Sequence, residues 1–367
     1  MPITARTAAF LLTIVTLLTT GAVCRAEPTL LQLPAMTDAR AAHQATLLPN
    51  GEVLLSGGCS GRCDRMLASS ERYDPQQKRF RPAGTLHTAR SSHSAVALRD
   101  GRVLIAGGWA GKAVTASAEL YDPVHDRFAP LAPMHVARAG ATASLLPDGR
   151  VLLAGGQDNQ LEPVAAVEIF DPDSGRFVRA ATLTEARMNH VAVTLQDGRV
   201  LLIGGRQSRR GAMLASAEWF APETGRWQRA GTLHTARHKH AAVRLADGRV
   251  LVLGGSDGSD DRGRYHSSEL FDPINNRFAP GPRMQWPRFK IMHALAALAD
   301  GRAVIAGGAR QIELFAPAQS RFEPLTGELE YAPELATATV LTTGEVLLAG
   351  GYDEQVNSRA QAWLIRL

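Results

Sequence analysis

Continuous apolar runs that end in a pair of glycines recur along the whole chain. Residues 145–156 read LLPDGRVLLAGG, and close copies stand at 47–58, 97–108, 194–205, 244–255, 297–308 and 340–351. Each copy has an apolar segment, a glycine-containing turn and a second apolar segment, which is typical of two strands joined by a hairpin. For the copy at 145–156 we expect a two-residue turn at Asp148 and Gly149, with positive φ at both positions.

Two further strands complete each of the first six units. A variable loop leads to a third-strand signature, such as AELYDP at 118–123, and a fourth strand then opens with Arg-Phe or Arg-Trp. Successive glycine pairs lie 43 to 53 residues apart, a period that fits the blades of a β-propeller. The pattern predicts seven four-stranded antiparallel blades, the last of which ends at QAWLIRL (361–367) without a fourth strand.

The missing strand is expected at the other end of the chain. TLLQLPAMTDAR (29–40) aligns with RFAPLAPMHVAR (127–138), so residues near 29–34 are predicted to form the outer strand of the last blade. This closure would remove an open sheet edge. We therefore predict an all-β fold, a seven-bladed propeller occupying residues 27–367 as one domain, with its ring closed by the mature N-terminal strand.

The repeats resemble those of the kelch family. The doubled glycine, a spaced Tyr or Phe and a following Phe or Trp fall, for example, at Gly107, Gly108, Tyr121 and Phe128. The resemblance covers 28–367, and the repeated sequence is similar to that of exported bacterial kelch proteins. It implies the propeller fold but not one function, because the family includes protein-interaction modules, sugar-processing enzymes and copper oxidases.

The N-terminus reads as a secretory signal peptide over residues 1–26. Arg6 precedes the apolar run AAFLLTIVTLL (8–18), and Ala26 stands at the last position before cleavage. The run is too short for a membrane span. Lipidation of Cys24 is an alternative, although Val23 is large where a small residue is expected. We expect a secreted or periplasmic protein.

Charge and cysteine content limit the partners. Cleavage removes Arg6 and Arg25 and no acid, which lowers the formal net charge from +5 to +3 and disfavours a nucleic-acid binder. The remaining cysteines, Cys59 and Cys63, share one loop. In an exported protein they are expected to form a disulfide; a metal site would need further ligands that do not stand nearby.

A ring of cations precedes the first strands and is the main candidate site. Counting ten residues back from each hairpin turn gives a cation in six blades and Pro333 in the seventh. One interpretation is a basic ring for an acidic sugar or acidic peptide. In the other, each cation forms a structural ion pair with a third-strand glutamate. The six positions are Arg40, Arg90, Arg138, Arg187, Arg237 and Lys290.

Histidines and loop residues complete the candidates. Five histidines follow the cations three residues later, and we expect them to hydrogen-bond backbone between blades rather than to bind a metal. Trp109 and Arg310, in variable loops, are added as ligand-binding residues. We assign no catalytic residue, cofactor or metal. The five histidines are His43, His93, His190, His240 and His293.

The predicted function is that of an exported, monomeric binding protein. Variable loops gather on one face of the ring, where a protein or carbohydrate ligand would bind. The alternative is a periplasmic carbohydrate-active enzyme of the mutarotase or isomerase type that uses the same face. Enzyme motifs such as GxSxG, HExxH or a P-loop are not found on suitable elements.

Overall fold

Seven sheets of four antiparallel strands form a closed ring in the computed structural model, which describes Met1 and residues 28–209, 211–257 and 263–367. The described residues contain no helix. The predicted signal peptide lies outside them, apart from Met1. The first strands of neighbouring blades contact one another around the axis. They are Gln44–Leu47, Ser94–Ala97, Thr142–Leu145, Val191–Thr194, Ala241–Arg244, Leu295–Ala297 and Thr337–Val340.

The other strands follow outwards in sequence order. The second strands are Val53–Ser56, Val103–Ala106, Val151–Ala154, Val200–Ile203, Val250–Leu253, Ala303–Ile305 and Val346–Ala349. The third strands are Ser70–Asp74, Ala118–Asp122, Val167–Asp171, Ser216–Ala221, Ser268–Asp272, Glu313–Ala316 and Ala362–Arg366. The fourth strands of blades 1–6 are Arg79–Pro82, Arg127–Pro130, Arg176–Ala180, Arg226–Thr232, Arg277–Pro280 and Arg321–Pro324. Two small hairpins pair Cys59–Ser60 with Arg65–Met66 and Trp109–Ala110 with Ala113–Val114.

The N-terminal strand closes the ring. Thr29–Gln32 is the outermost strand of blade 7, with Thr29 opposite Arg366 and Gln32 opposite Trp363. The predicted seven-bladed, all-β architecture and its closure near residues 29–34 are therefore confirmed. The closing strand begins three residues after Ala26, the last residue of the predicted signal peptide.

The hairpin turns differ from the prediction. Gly149 has φ +92°, but Asp148 is not in the left-handed region. The Gly149 amide donates to the Leu146 carbonyl, so the turn starts earlier and the glycine ends it, as in a type I turn followed by a bulge. The Asp148 carboxylate accepts the Arg150 amide and also pairs with the Arg150 side chain. The two-residue type I′ turn was therefore wrong.

Hydrophobic cores lie between neighbouring blades. The second strands have both faces buried, as their continuous apolar sequences predict. In blades 1–6 the third-strand aromatic packs on the fourth-strand aromatic, with ring centroids 4.7–5.2 Å apart. The repeated apolar second strand therefore supplies the packing between blades, and the aromatic pair packs the outer strands within a blade.

The doubled glycine allows the next blade to approach. Gly107 and Gly108 have φ of +69° and +98°, and a Cβ on Gly107 would lie 2.4 Å from the Arg138 carbonyl oxygen. The Gly108 amide donates to that same oxygen at 2.8 Å. Glycine is needed here both for its φ and for the close backbone contact.

Candidate functional site

The ring arginines are buried in the scaffold. Arg187 has 0% exposure and donates to the Gly204 carbonyl at 2.8 Å, to the Ser216 carbonyl at 3.1 Å and to Glu218 at 3.0 Å. The other Glu218 oxygen accepts the Thr184 amide at 2.9 Å and its hydroxyl at 2.7 Å. One guanidinium therefore links the glycine pair after the second strand to the third strand. Through Glu218 it is also linked to the segment that connects this blade to the preceding one.

The same arrangement recurs in five other blades, as the structural interpretation expects. Each guanidinium donates to the carbonyl of the first glycine of its own blade and pairs with the third-strand glutamate at 2.8–3.0 Å. Burial lowers the pKa of each arginine, while the partner carboxylate opposes the shift. These guanidinium groups have no exposed surface to offer a ligand. The remaining pairs are Arg40–Glu71, Arg90–Glu119, Arg138–Glu168, Arg237–Glu269 and Arg288–Glu313.

The sequence count misplaced the sixth member of the ring. Arg288, not Lys290, pairs with Glu313 and donates to Gly307. A turn at Ile291–Ala294 precedes the first strand of blade 6, which starts only at Leu295, so counting back from the hairpin lands two residues too late. Lys290 instead has φ +54° and its ammonium lies 2.9 Å from Glu334.

Blade 7 replaces the arginine by a tyrosine. Its ring position is Pro333, and no glutamate stands opposite because Gln361 occupies that place. The Tyr331 hydroxyl donates to the Gly350 carbonyl at 3.1 Å, the bond that an arginine makes elsewhere. The Tyr331 ring packs on Trp363, with centroids 5.5 Å apart.

The buried histidines bond to hydroxyl groups of the preceding blade. Nε2 of His43 lies 3.0 Å from Thr337 Oγ1, that of His93 lies 3.1 Å from Ser56 Oγ, and that of His190 lies 3.2 Å from Thr142 Oγ1. Backbone bonds were expected here, so the partner type was predicted wrongly.

Burial keeps these histidines neutral. It lowers the pKa of His190 to about 3 and the pKa of His43 and His93 well below the ordinary value. His240 is equally buried and its pKa is lowered in the same way, but its ring nitrogens have no partner among the described residues. The equivalent hydroxyl position of the preceding blade is Val191, which cannot accept or donate a hydrogen bond.

His293 does not belong to this set. Ile291 occupies the equivalent position, because its side chain packs on Gly254 as His240 packs on Gly204. His293 lies in the inserted turn and faces the lumen, with Nε2 3.3 Å from the Gln44 amide nitrogen. Its side chain is exposed to the lumen, and desolvation by the surrounding blades lowers its pKa to about 4.

A collar of backbone hydrogen bonds surrounds the mouth of the axis. Residues in the left-handed region link blade to blade; the Ser92 amide, for example, donates to the Ala42 carbonyl at 2.8 Å, and the Gly140 amide donates to Ser92 at 2.7 Å. Among the described residues, such links join every pair of neighbouring blades except blades 3 and 4. At that break the Gly140 carbonyl and the Asn189 amide make no hydrogen bond with the described residues.

Inside the collar lies an axial cavity of about 360 Å³, open on the loop face. Five first-strand alanines line it and leave its lumen unfilled: Ala45, Ala95, Ala143, Ala192 and Ala242. Sequence reasoning missed this feature. The signal was present, because alanine recurs two residues after the buried histidine position in these blades, although nothing in the sequence shows that those side chains face the axis.

Two loop hairpins stand at the rim of the loop face. The predicted disulfide between Cys59 and Cys63 is present, with Cα atoms 4.7 Å apart. Trp109 forms a hairpin with Val114, and the Val114 amide donates to Asn159 of the next blade. Trp109 lines the cavity, whereas Arg310 does not. The Arg310 side chain is 51% exposed, donates to the Leu329 carbonyl at 3.0 Å and lies 3.6 Å from Glu328.

Neither a metal cluster nor a membrane-spanning helix is found in the part of the chain that the structure describes. No three His, Cys, Asp or Glu side chains there are grouped to hold an ion. No helix there is long and apolar enough to cross a membrane.

Comparison with known proteins supports the fold. The model of the Kelch motif matches residues 89–135. No curated protein sequence matches the chain. A solved structure described as a novel fungal alcohol oxidase with catalytic diversity among the AA5 family, in complex with copper, is similar, with a TM-score of 0.71 and 16% identity. The similarity covers 91% of this chain and 76% of the oxidase chain, and at that identity it concerns the fold alone.

Proposed function

We propose that this chain, a seven-bladed β-propeller of the kelch-repeat type, is an exported binding protein whose ligand enters the axial cavity from the loop face. The kelch propeller fold supports a binding or interaction role in general. The cavity, the collar and the loop hairpins give that role a specific place. Catalysis is not part of the proposal.

The axial cavity is the observation that carries this proposal. Its volume of about 360 Å³ is in the range of small-molecule sites, and it is built on first strands that neighbouring blades hold in place. Several polar groups at its wall make no hydrogen bond within the described residues, among them the Gln157 and Asn189 side chains. Unused polar groups in a preformed concave site are what a ligand needs.

The proposal does not use the ring of arginines. Their charges are balanced by glutamates and their donors are directed to backbone carbonyls of the same blade. A ligand could reach them only by breaking the buried arginine–glutamate pair of a blade. The anionic ligand that the ring suggested in the sequence therefore gains no support from these contacts.

Export is supported by two features of the chain. The disulfide at Cys59 and Cys63 is typical of an oxidising compartment. Cleavage after Ala26 would leave the closing strand, which begins at Thr29, intact. An exported chain with this processing would keep its ring closed.

The enzyme alternative rests on His293. A shifted histidine in the axial pocket is what a mutarotase or isomerase would use as a base. Its lowered pKa makes it a weak base at neutral pH, and its Nε2 already faces Gln44. Polarimetry on freshly dissolved aldoses with the wild type and His293→Ala tests this candidate; equal rates for both proteins would reject it.

A cavity-filling variant tests the binding proposal. We would measure melting temperatures of the mature protein with a panel of neutral and acidic sugars, amino acids and short peptides, because a ligand stabilises the state that it binds. Ala95→Phe fills the lumen, and Ala129→Phe makes the same change on the exposed outer strand of blade 2.

We expect at least one compound to stabilise the wild type and Ala129→Phe but not Ala95→Phe. Equal stabilisation of Ala95→Phe would place the site elsewhere. No stabilisation of the wild type by any compound would overturn a small-molecule site in the cavity.

A further inference from the structure

We infer that the ligand of the axial cavity is an uncharged, polyhydroxylated ring, that is, a neutral sugar unit. The inference rests on the proposed function and adds the chemical class of the ligand. It follows from three properties of the cavity wall: its lack of charge, the position of its unused polar groups, and the apolar surface opposite them.

The described residues that line the cavity carry no carboxylate, ammonium or guanidinium group. Its histidines are neutral, because desolvation lowers the pKa of His93, His190 and His293. A charged ligand would lose hydration there without gaining a counter-charge, which is unfavourable. A neutral ligand with hydroxyl groups avoids that cost.

Unused hydrogen-bonding groups gather on the side of blades 2–4. Ser92 and Trp109 come from blade 2, Gln157 from blade 3 and Asn189 from blade 4, and their side chains make no hydrogen bond with the described residues. The collar break adds the Gly140 carbonyl and the Asn189 amide. Together these groups offer donors and acceptors in mixed order, which suits hydroxyl groups because each hydroxyl both donates and accepts.

The opposite wall is mainly apolar. Blades 5–7 contribute Ala242, Met292 and Leu335, with His293 as their polar member. A pyranose ring has hydroxyl groups at its edge and C–H groups on its faces, so its two kinds of surface match the two walls. The partly exposed indole of Trp109 at the rim offers a flat apolar surface and an N–H donor to such a ring.

Matched pairs of sugars test the inference. Saturation-transfer NMR and titration of the mature protein would compare glucose, galactose and mannose, as methyl glycosides, with the corresponding uronic acids. Each pair differs in a hydroxymethyl group against a carboxylate. We expect saturation transfer to at least one neutral glycoside, and about tenfold or greater weakening for its uronic acid, the usual consequence of burying an unpaired charged group.

Variants in the polar wall connect the binding to the structure. Trp109→Ala should abolish detectable transfer and Trp109→Phe should weaken it. Gln157→Ala should weaken it as well, whereas Gln160→Ala, an exposed glutamine of the same loop, should not. Equal effects of the two glutamine variants would contradict the assigned wall.

The outcomes separate this inference from the proposed function. Tighter binding of the uronic acids would overturn the inference and leave the cavity as the site. If no sugar binds but an amino acid or peptide binds to the wild type and not to Ala95→Phe, the inference is again overturned and the cavity remains the site. If no compound binds at all, both the inference and the proposed function are overturned.

Discussion

Replacing one ring arginine should lower the stability of the propeller without changing ligand binding. In Arg187→Met the methionine fills similar volume but removes the donors to the Gly204 carbonyl and to one Glu218 oxygen, and one of the two donors to the Ser216 carbonyl. Breaking a buried pair by removing one partner costs about 3–5 kcal/mol. Since the unfolding entropy of a chain of this size is about 0.7 kcal/mol/K, the melting temperature should fall by about 4–7 °C.

An exposed arginine provides the control for this prediction. Arg150 pairs with Asp148 in a hairpin turn, where both side chains are close to half exposed. Surface pairs of this kind contribute about 0–1 kcal/mol, so Arg150→Met should shift the melting temperature by less than about 2 °C. Both variants are measured by calorimetry and by urea unfolding, and ligand binding is measured below the transition.

The result that refutes the reasoning is specific. If Arg187→Met melts like the wild type but loses ligand binding, the arginines contact the ligand and the buried arginine–glutamate pair contributes little to stability. If both variants lose the same stability, burial of the pair does not matter. Retained binding with a large stability loss in Arg187→Met alone is the expected outcome.

Three further predictions concern buried polar groups. Between pH 7 and 5.5 the unfolded chain gains protons near the ordinary histidine pKa of 6.5 while the buried imidazoles stay neutral, so stability should fall by about 5 kcal/mol; a flat urea midpoint over this range would contradict it. Val191→Thr should give His240 the hydroxyl partner that it lacks and stabilise by about 1 kcal/mol, whereas Val193→Thr, in the same strand, should destabilise. Tyr331→Phe should cost about 1 kcal/mol, less than loss of an arginine, because one neutral bond to Gly350 disappears; a loss as large as that of Arg187→Met would be unexpected.

The fold could be predicted because each local signal agrees with the others. The apolar second strands, the glycine exits and the aromatic pair of each blade repeat with one period, and the sequence 29–40 reveals the closing strand by alignment. The turn type could not be predicted from Asp148 and Gly149 alone. The Leu146–Gly149 hydrogen bond decides it, and the side-chain bond of Asp148 to Arg150 is a local alternative that the dipeptide does not reveal.

The candidate site was predicted less well, for physical reasons. Sequence shows that a cation recurs but not whether its guanidinium faces solvent or a neighbouring glutamate. A two-residue insertion in blade 6 also shifted the count from Arg288 to Lys290. The alanines leave space at the axis because their side chains are small. That space exists only when all seven blades close the ring, so no single repeat reveals it.

The indole signal of Trp109 tests the central claim most directly, namely that the ligand binds in the axial cavity of the loop face. In an NMR spectrum of tryptophan-labelled protein, that signal is assigned by its loss in Trp109→Phe. Addition of any compound that raises the melting temperature should shift the Trp109 signal and leave that of Trp227, on the outer strand of blade 4, unchanged. A compound that binds while the Trp109 signal stays in place would contradict the account.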